Sequence, residues 1–387
     1  MSTFLQNWMR ARAMSAPRGG EAYIQFADPA VEAICVANWS SDGIGLTMQD
    51  AAAVTNNQFG TTFQGNTQIT SFDELQYFTG LTGIVGDAFS GCSALESITF
   101  PATITTLGYH CCQNCTSLAE VTILSTTLSA NRANFAGCTS LSKVHIPSLA
   151  TYLGYSFNAN TDGGLLYAST APSRGLYVDG TLLQQLVIPS GTSAIPNNAF
   201  CNINEFTSLS LPSSLQIIGT FAFYKCNFAE AVSIILPNSL TTVNSGAFNT
   251  TNLEIYVNGL PLVTTIEGET FRGSGLKELI LSAVTSYGSH VTYDSPVTKI
   301  DLPATLATIG EGFGRRSRSL ETLICRATTV PTTSSSNFLG STPNTLKIYV
   351  PYSSDHSVLA AYQADAVWGT KSSQIYELNP DGTIPNS

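Results

Sequence analysis

Residues 88–101 read Ala-Phe-Ser-Gly-Cys-Ser-Ala-Leu-Glu-Ser-Ile-Thr-Phe-Pro, and this stretch decides the fold because it returns along the chain. Two of its positions recur at steps of 23 residues: Cys92, Cys115 and Cys138, and Leu95, Leu118 and Leu141. A fixed period in the twenties predicts an array of structural repeats, each forming one turn of a solenoid. The pattern continues less strictly to about Cys325.

Each repeat contains the spacing Leu-x-x-Leu-x-Leu, in which apolar and polar residues alternate as a half-buried strand requires. One repeat cannot bury its apolar side chains alone, so neighbouring repeats must stack. An aliphatic residue followed by proline marks further strand ends: Ile188-Pro189, Leu211-Pro212, Leu236-Pro237 and Leu302-Pro303. The sequence therefore predicts a leucine-rich-repeat solenoid, mainly β with short turns and helices, closed by a small α-containing N-terminal cap and a C-terminal cap.

The repeat register also decides how the cysteines are interpreted. His110-Cys111-Cys112-x-x-Cys115 resembles a set of zinc ligands when it is considered alone. In register, however, Cys111-Cys112 takes the place of Ala88-Phe89, and Cys115 belongs to the recurring cysteine position. Because free cysteines are common as small buried apolar residues, and no second Cys-x-x-Cys is present, we expect a cysteine ladder and no metal site.

Five segments follow from the pattern. We expect an N-terminal arm at residues 1–20, an N-terminal cap at 21–70, the repeat array at 71–345 with an irregular insert at 155–185, and a C-terminal cap and tail at 346–387. Glycines that follow apolar residues, such as Gly108 and Gly310, are expected where the chain turns back. The segment from Thr47 to Asp50 predicts the start of a helix in the N-terminal cap.

Two segments predict β-hairpins. Asp179-Gly180 stands between alternating apolar arms at 176–183, and Asn258-Gly259 stands in a similar setting at 255–260. Two interpretations stay open for the neighbouring insert. The hairpins continue the stack as variant repeats, or the loop at 155–175 contacts a ligand.

Composition excludes some classes of function. Charged residues make up only 11% of the chain and the formal net charge is −10, so we expect no nucleic-acid binding. The nearest approach to a basic cluster, Arg315-Arg316-Ser317-Arg318, predicts a solvated turn. No stretch approaches the roughly 18 apolar residues of a membrane span, and no secretory signal peptide is expected within residues 1–20.

The repeating motif from Ala88 to Gly108 resembles the BspA-like leucine-rich repeats, as found in gut bacteria and their bacteriophages. This resemblance covers most of the chain and implies a non-catalytic binding role. In some relatives the N-terminal cap carries a calcium loop. Here Asp42 stands in the matching segment, but Ser40 and Ile44 stand where carboxylates are wanted, so we expect no calcium.

The four histidines belong to no catalytic or metal motif, and no nucleophile or phosphate-binding motif is present. We therefore expect no enzyme activity, no catalytic residues and no cofactor. Two hypotheses remain. The first is a bacteriophage virion component (a fibre, a decoration or a host-recognition protein) that contacts other virion proteins or a host cell-surface protein or glycan. The alternative is a bacterial surface adhesin or secreted binding protein. A homo-oligomer is compatible with both.

The outward positions of the clearest strands form the candidate binding surface, because successive strands align them into one sheet face. These positions are Glu96, Ser97, Thr99, Glu120, Thr122, Lys143 and His145.

Overall fold

The structure is a computed structural model that describes residues 22–333 and 337–385. The predicted arm at residues 1–20 lies outside the described residues. The described chain divides into two compact units. Unit 1 comprises residues 22–184 and 196–205, and unit 2 comprises residues 185–195 and 206–385. In both units, short parallel strands stack turn upon turn, so the predicted solenoid architecture is confirmed.

Unit 1 begins with helices and continues with paired strands. Its helices are α1 Pro29–Trp39, α2 Met48–Ala53, α3 Asn56–Phe59 and α4 Leu149–Tyr152, with 3-10 helices at Asp73–Tyr77 and Thr161–Gly163. Its strands are β1 Gly83–Ile84, β2 Ser97–Phe100, β3 Thr106–Leu107, β4 Glu120–Ile123, β5 Ser129–Ala130, β6 Lys143–Ile146, β7 Ser156–Phe157, β8 Gly175–Val178 and β9 Thr181–Leu182.

These strands form two sheets, because each turn contributes one strand to each. One sheet has the order β1-β3-β5-β7, and the other has the order β2-β4-β6-β8-β9. The first step in the second sheet pairs Ser97 with Glu120, and the next pairs Glu120 with Lys143, so the 23-residue period sets the register. The irregular insert lengthens one turn, since Lys143 pairs next with Gly175.

Unit 2 repeats the arrangement. Its strands are β10 Gln185–Val187, β11 Ala194–Ile195, β12 Ser208–Ser210, β13 Ile217–Ile218, β14 Ser233–Ile235, β15 Thr242–Val243, β16 Glu254–Gly259, β17 Thr265–Ile266, β18 Gly275–Leu281, β19 Ser286–Tyr287, β20 Lys299–Leu302, β21 Thr308–Ile309, β22 Thr322–Cys325, β23 Thr332–Thr333, β24 Lys347–Val350 and β25 Ile375–Glu377. Helix α5 covers Ser357–Ala364, and a 3-10 helix covers Trp368–Gln374.

Unit 2 contains two seven-stranded sheets and one short pair. The first sheet has the order β14-β16-β18-β20-β22-β24-β25, and the second has the order β11-β13-β15-β17-β19-β21-β23. β10 and β12 pair separately. Within the described part of the chain, no helix combines the length and apolar character needed to cross a bilayer.

Aromatic side chains close the first turns of unit 1. Trp39 at the end of α1 stacks on Phe59, with ring centroids 5.5 Å apart, and lies 5.4 Å from Phe78. Phe63 stacks in turn on Phe89, the phenylalanine of the first clear repeat, at 5.4 Å. The helical segment therefore buries the apolar side chains that the first turn would otherwise expose to water. The predicted helix start is confirmed, because Thr47 and Asp50 form a reciprocal capping box.

The predicted cysteine ladder is buried, and its thiols also make hydrogen bonds. Cys92, Cys115 and Cys138 are each 0% exposed. Each thiol lies 3.0–3.1 Å from a backbone carbonyl of the preceding turn and donates to it. In unit 2 the same corner first carries the buried Cys226 and then hydroxyl residues: Thr251, Ser274, Ser295, Ser317 and Thr342, all buried. Most turns thus place a small donor at the corner, which cysteine, serine and threonine all provide, whereas the buried Ile203 occupies it in one turn of unit 1.

Glycine is required at other corners because the turns approach closely. A Cβ at Gly288 would lie 2.3 Å from the Gly268 nitrogen, and one at Gly310 would lie 2.5 Å from the Gly288 carbonyl carbon. A Cβ at Gly108 would lie 2.4 Å from the Gly86 nitrogen. None of these three residues has a positive φ. The sequence predicted that these glycines allow the chain to turn back. The structure adds that the backbone of the neighbouring turn leaves no space for a side chain at these positions.

One predicted hairpin is confirmed and the other is wrong. β8 and β9 pair antiparallel, joined by Asp179-Gly180, while β8 also continues the parallel stack on β6. At 255–260, by contrast, β16 is one strand that pairs parallel with both β14 and β18. Gly259 ends this strand at φ +103°. The side chain of Leu260 is then buried in the core, at 0% exposure, and the chain does not fold back on β16.

Replacing Thr251 by valine tests the corner hydrogen bond. Thr251 donates from Oγ1 to the Cys226 carbonyl at 2.6 Å and is 2% exposed. Valine has nearly the same shape but no donor, so we expect Thr251→Val to lower the free energy of unfolding by about 1–3 kcal/mol in chemical denaturation. The control is Thr265→Val at an exposed position of β17, which should change stability by less than about 0.5 kcal/mol. Equal effects of the two substitutions would rule out the corner role.

Replacing Gly288 by alanine tests the close approach of the turns. Because the new Cβ has no room beside the Gly268 nitrogen, we expect Gly288→Ala to destabilise the protein by about 1–3 kcal/mol. Gly340→Ala is the matched control, since the nearest atom to its Cβ would be 3.4 Å away. Denaturation midpoints that shift equally for both variants would contradict this explanation.

Candidate binding surface

Strands β2, β4, β6 and β8 present one face to the core and one to solvent. The inward side chains are buried: Ile98, Phe100, Val121, Ile123, Val144, Ile146 and Leu176. The outward side chains form two rows that run across the strands. One row is Ser97, Glu120 and Lys143, and the other is Thr99, Thr122, His145 and Tyr177. The structure thus places six of the seven predicted site residues next to one another.

Glu96 is the seventh predicted residue, and it lies one residue before β2. Its side chain is exposed, while its backbone carbonyl accepts a hydrogen bond from the Ala119 nitrogen at 2.8 Å. Glu96 therefore lies at the edge of the outward face.

Glu120 is the electrostatic centre of the face. Its carboxylate lies 2.9 Å from His145 Nε2 and 3.7 Å from Lys143 Nζ. The Glu120 side chain is about one-third exposed, at 35%, and that of Lys143 is 48% exposed. The exposed ion pair between Glu120 and Lys143 adds only about 0–1 kcal/mol to stability. The arrangement therefore fixes side-chain positions on the face more than it stabilises the fold.

Burial favours the neutral form of His145. Its side chain is only 12% exposed, and burial lowers the pKa of the imidazole from its ordinary value of 6.5. Glu120 opposes this effect and Lys143 adds to it. The pKa of His145 is lowered overall, because the cost of removing the imidazolium from water outweighs its attraction to the partly exposed Glu120 carboxylate.

Tyr177 is the residue of the face that the sequence reasoning missed. It pairs in register with His145, and the two ring centroids are 5.0 Å apart. The signal was available in Leu176-Tyr177-Val178, where the alternation already places Tyr177 outward. The predicted hairpin at 176–183 does not by itself place these residues in the register of the repeats, so Tyr177 did not align with His145.

A groove continues the face along the irregular insert. It has a volume of about 470 Å³ and is lined by Thr139, Ser140, Ser142, Thr170, Ala171, Pro172 and Ser173. Ser142 immediately precedes β6, and its carbonyl accepts from the Gly175 nitrogen at 3.0 Å. The groove and the sheet face therefore share one edge.

The corresponding face of unit 2 is covered at its last strands. The outward side chains of Ile324 and Tyr349 form a buried cluster with Leu378, which follows β25. Asp301 accepts two hydrogen bonds from the Arg326 guanidinium, at 2.7 and 2.8 Å, and this bond raises the pKa of Arg326. Arg326 also donates to the Gly382 carbonyl at 3.3 Å. Residues 378–382 thus occupy the outward face there, whereas the face of unit 1 is open.

Two segments resemble metal sites in the sequence, one at residues 111–115 and one around Asp42. In the structure, the polar side chains of both segments form hydrogen bonds with their neighbours. Hydrogen bonds with Cys111 and Cys115, together with burial, raise the pKa of the Cys112 thiol well above its usual range. Asp42 accepts hydrogen bonds from the Tyr23 hydroxyl, the Ser40 hydroxyl and the Ile44 nitrogen, which lower its pKa to about 2. Within residues 22–333 and 337–385, no group of three or more His, Cys, Asp or Glu side chains is arranged to hold a metal ion.

The model of the BspA type leucine rich repeat region matches this chain in six copies, at residues 61–165, 176–290 and 255–357. These residues make up well over half of the chain. No curated protein matches it.

Solved structures with a similar fold include three bacterial proteins. A leucine rich cell surface protein from Faecalibacterium prausnitzii is 16% identical over 79% of this chain and 87% of that chain, with a TM-score of 0.41. The pneumococcal vaccine antigen PcpA is 18% identical over 80% of this chain and 72% of that chain, with a TM-score of 0.39. A leucine-rich repeat protein from Bacteroides ovatus is 18% identical over 77% of this chain and 88% of that chain, with a TM-score of 0.35.

The lowered pKa of His145 predicts a contribution to the pH dependence of stability. Because the folded state resists protonation of this imidazole, its contribution is present above the unfolded pKa near 6.5 and is lost as the pH falls through the folded value. Thermal melts at pH 7.5 and 5.5 should show a smaller acid-induced loss for His145→Gln than for the unchanged protein. His290→Gln, at a half-buried histidine that forms no ion pair with any residue the structure describes, is the control. If His145→Gln loses as much stability on acidification as the parent, this assignment fails.

Proposed function

Because the chain belongs to the BspA-type leucine-rich repeat family, we propose that it binds a protein partner through the open sheet face of unit 1. Repeats of this type indicate a non-enzymatic protein-binding or surface module. The observation that carries the proposal is the pair of in-register outward rows in unit 1, which bring four side chains together at the surface: Glu120, Lys143, His145 and Tyr177. In unit 1 the rows around Glu120 and Thr122 are open to solvent, whereas in unit 2 Leu378 covers the last strands.

The size of the face supports a contact that includes the neighbouring groove. Four strands about 4.8 Å apart, each about four residues long, offer roughly 200 Å². A stable protein–protein contact buries about 800 Å² on each partner. The groove lined by Thr139, Ser140, Ser142 and residues 170–173 adjoins the face at Ser142 and enlarges the surface available for contact. We therefore propose that the insert and the repeat face contact the partner together.

The chemistry of the face favours a polar protein surface as partner. Thr99 and Thr122 offer hydroxyl groups that both donate and accept, and Glu120 with Lys143 offers charges of both signs. Tyr177 supplies an aromatic side chain, the type of residue that contributes most to binding energy at interfaces. The strands hold these groups rigidly, so little ordering is needed on binding.

We place the protein at a bacterial cell surface or outside the cell. The low share of charged residues means that serine, threonine and asparagine supply much of the polar surface, which suits an extracellular protein. The virion hypothesis gains no support, since neither the family match nor the similar structures point to a phage particle. We continue to expect no enzyme activity and no cofactor.

The test is binding to an array of purified extracellular proteins, with an array of polysaccharides beside it. We expect at least one protein to bind, and we expect Thr122→Arg, at the centre of the face, to weaken that binding about tenfold or more, because a bulky charge blocks close approach. Thr126→Arg is the matched control, since Thr126 is exposed after β4 and lies off the face. Binding that survives Thr122→Arg, or binding only to polysaccharides, would contradict the proposal.

A further inference from the structure

Three successive turns of unit 2 place basic and aromatic side chains at one repeated position. Arg272, Tyr293 and Arg315 each lie two residues before a corner serine, at Ser274, Ser295 and Ser317 respectively. Backbone hydrogen bonds fix this alignment. Gly273 donates to the Tyr293 carbonyl at 2.8 Å, and Asp294 donates to the Arg315 carbonyl at 3.0 Å. The three side chains therefore follow one another along the stack.

The alignment brings three guanidinium groups to one ring. The guanidinium carbons of Arg272, Arg315 and Arg316 lie 5.2, 5.7 and 5.5 Å from the centroid of the Tyr293 ring. Each distance is within the range of a cation–π contact. Contact with the ring restrains the three guanidinium groups, so that they are held close together before any ligand arrives.

Two of the three arginines are not engaged in ion pairs within the described part of the chain. Arg272 forms an ion pair with Glu269 at 2.8 Å, but neither Arg315 nor Arg316 forms one with any residue that the structure describes. Arg272 and Arg316 are exposed, and Arg315 is half-buried. Three like charges held around one ring repel each other, and an anion bound between them would relieve that repulsion.

We propose that Tyr293 and the three arginines bind sulfate-type oxyanions carried on a polysaccharide. Guanidinium groups match the oxygens of such anions with paired hydrogen bonds. Glu269, Asp294 and Glu311 lie in the same turns, so their negative charges oppose the binding of a densely charged polymer. Nucleic acid carries a phosphate charge about every 1.7 Å of duplex, and a chain of net charge −10 repels it beyond this patch. Widely spaced sulfate esters avoid that repulsion.

This site lies in unit 2 and does not rest on the protein-binding face proposed for unit 1. The experiment measures equilibrium binding of a dextran sulfate with widely spaced sulfate groups, and of neutral dextran, to the full chain at several salt concentrations. We expect binding to dextran sulfate alone, weakening as salt rises. In Arg315→Gln/Arg316→Gln the affinity should fall about tenfold or more, with an unchanged circular dichroism spectrum.

The matched control is Arg132→Gln/Lys225→Gln. It also removes two positive charges and two cation–π contacts, but each of these residues lies alone on its ring, at Tyr109 and Tyr224. We expect the control to change affinity by no more than about twofold. Equal losses in both double variants would show a general charge effect and overturn the proposal, as would no binding of dextran sulfate to the unchanged protein.

Two further probes distinguish the source of the anion. Inorganic sulfate at the same charge concentration should compete only weakly, because it lacks the second anionic group of the polymer. Single-stranded DNA should not compete. If inorganic sulfate accounts for all of the binding, or if DNA binds as tightly as dextran sulfate, the assignment to a sulfated polysaccharide is wrong.

Discussion

The hydrogen bonds from each turn to the next are the interaction on which the rest of the structure depends. The Ala119 nitrogen donates to the Glu96 carbonyl at 2.8 Å, and the Ser142 nitrogen donates to the Ala119 carbonyl at 3.0 Å. These bonds hold neighbouring backbones at strand spacing, which is about 4.8 Å. Every corner must fit within that spacing. This is why glycine stands where backbones meet and why a small donor such as Cys115 or Ser317 stands inside the corner.

The same constraint produces the binding surfaces. Parallel stacking in register turns any side chain that recurs with the repeat into a row, so the outward residues of β2, β4 and β6 form a face even though they are distant in sequence. It also converts the turn positions of Arg272, Tyr293 and Arg315 into a column. The two sites differ because the strand face mixes hydroxyl, acidic, basic and aromatic side chains, whereas the turn column groups arginines around one tyrosine.

The period, the buried cysteines and the outward positions could be predicted from the sequence, because a fixed step and an alternating pattern translate directly into register. The prediction of a hairpin at 255–260 was wrong because Asn258-Gly259 can end a strand in two ways. The chain can fold back after it, or it can continue into the next turn of the stack, as it does here. Arg315 and Arg316 were predicted as a solvated turn. Their contact with Tyr293, 22 and 23 residues earlier, depends on turn lengths that vary in this region, so the sequence alone did not align them.

Hydrogen exchange of the free protein, followed by mass spectrometry, tests most directly whether neighbouring turns hold each other in place. The account predicts slow and cooperative exchange of the amides that bond across turns, such as those of Ala119 and Ser142, and fast exchange at exposed loop amides such as that of Thr126. If the amides of Ala119 and Ser142 exchange as fast as the amide of Thr126, the turns are not fixed by their neighbours, and the faces built on that register do not exist in solution.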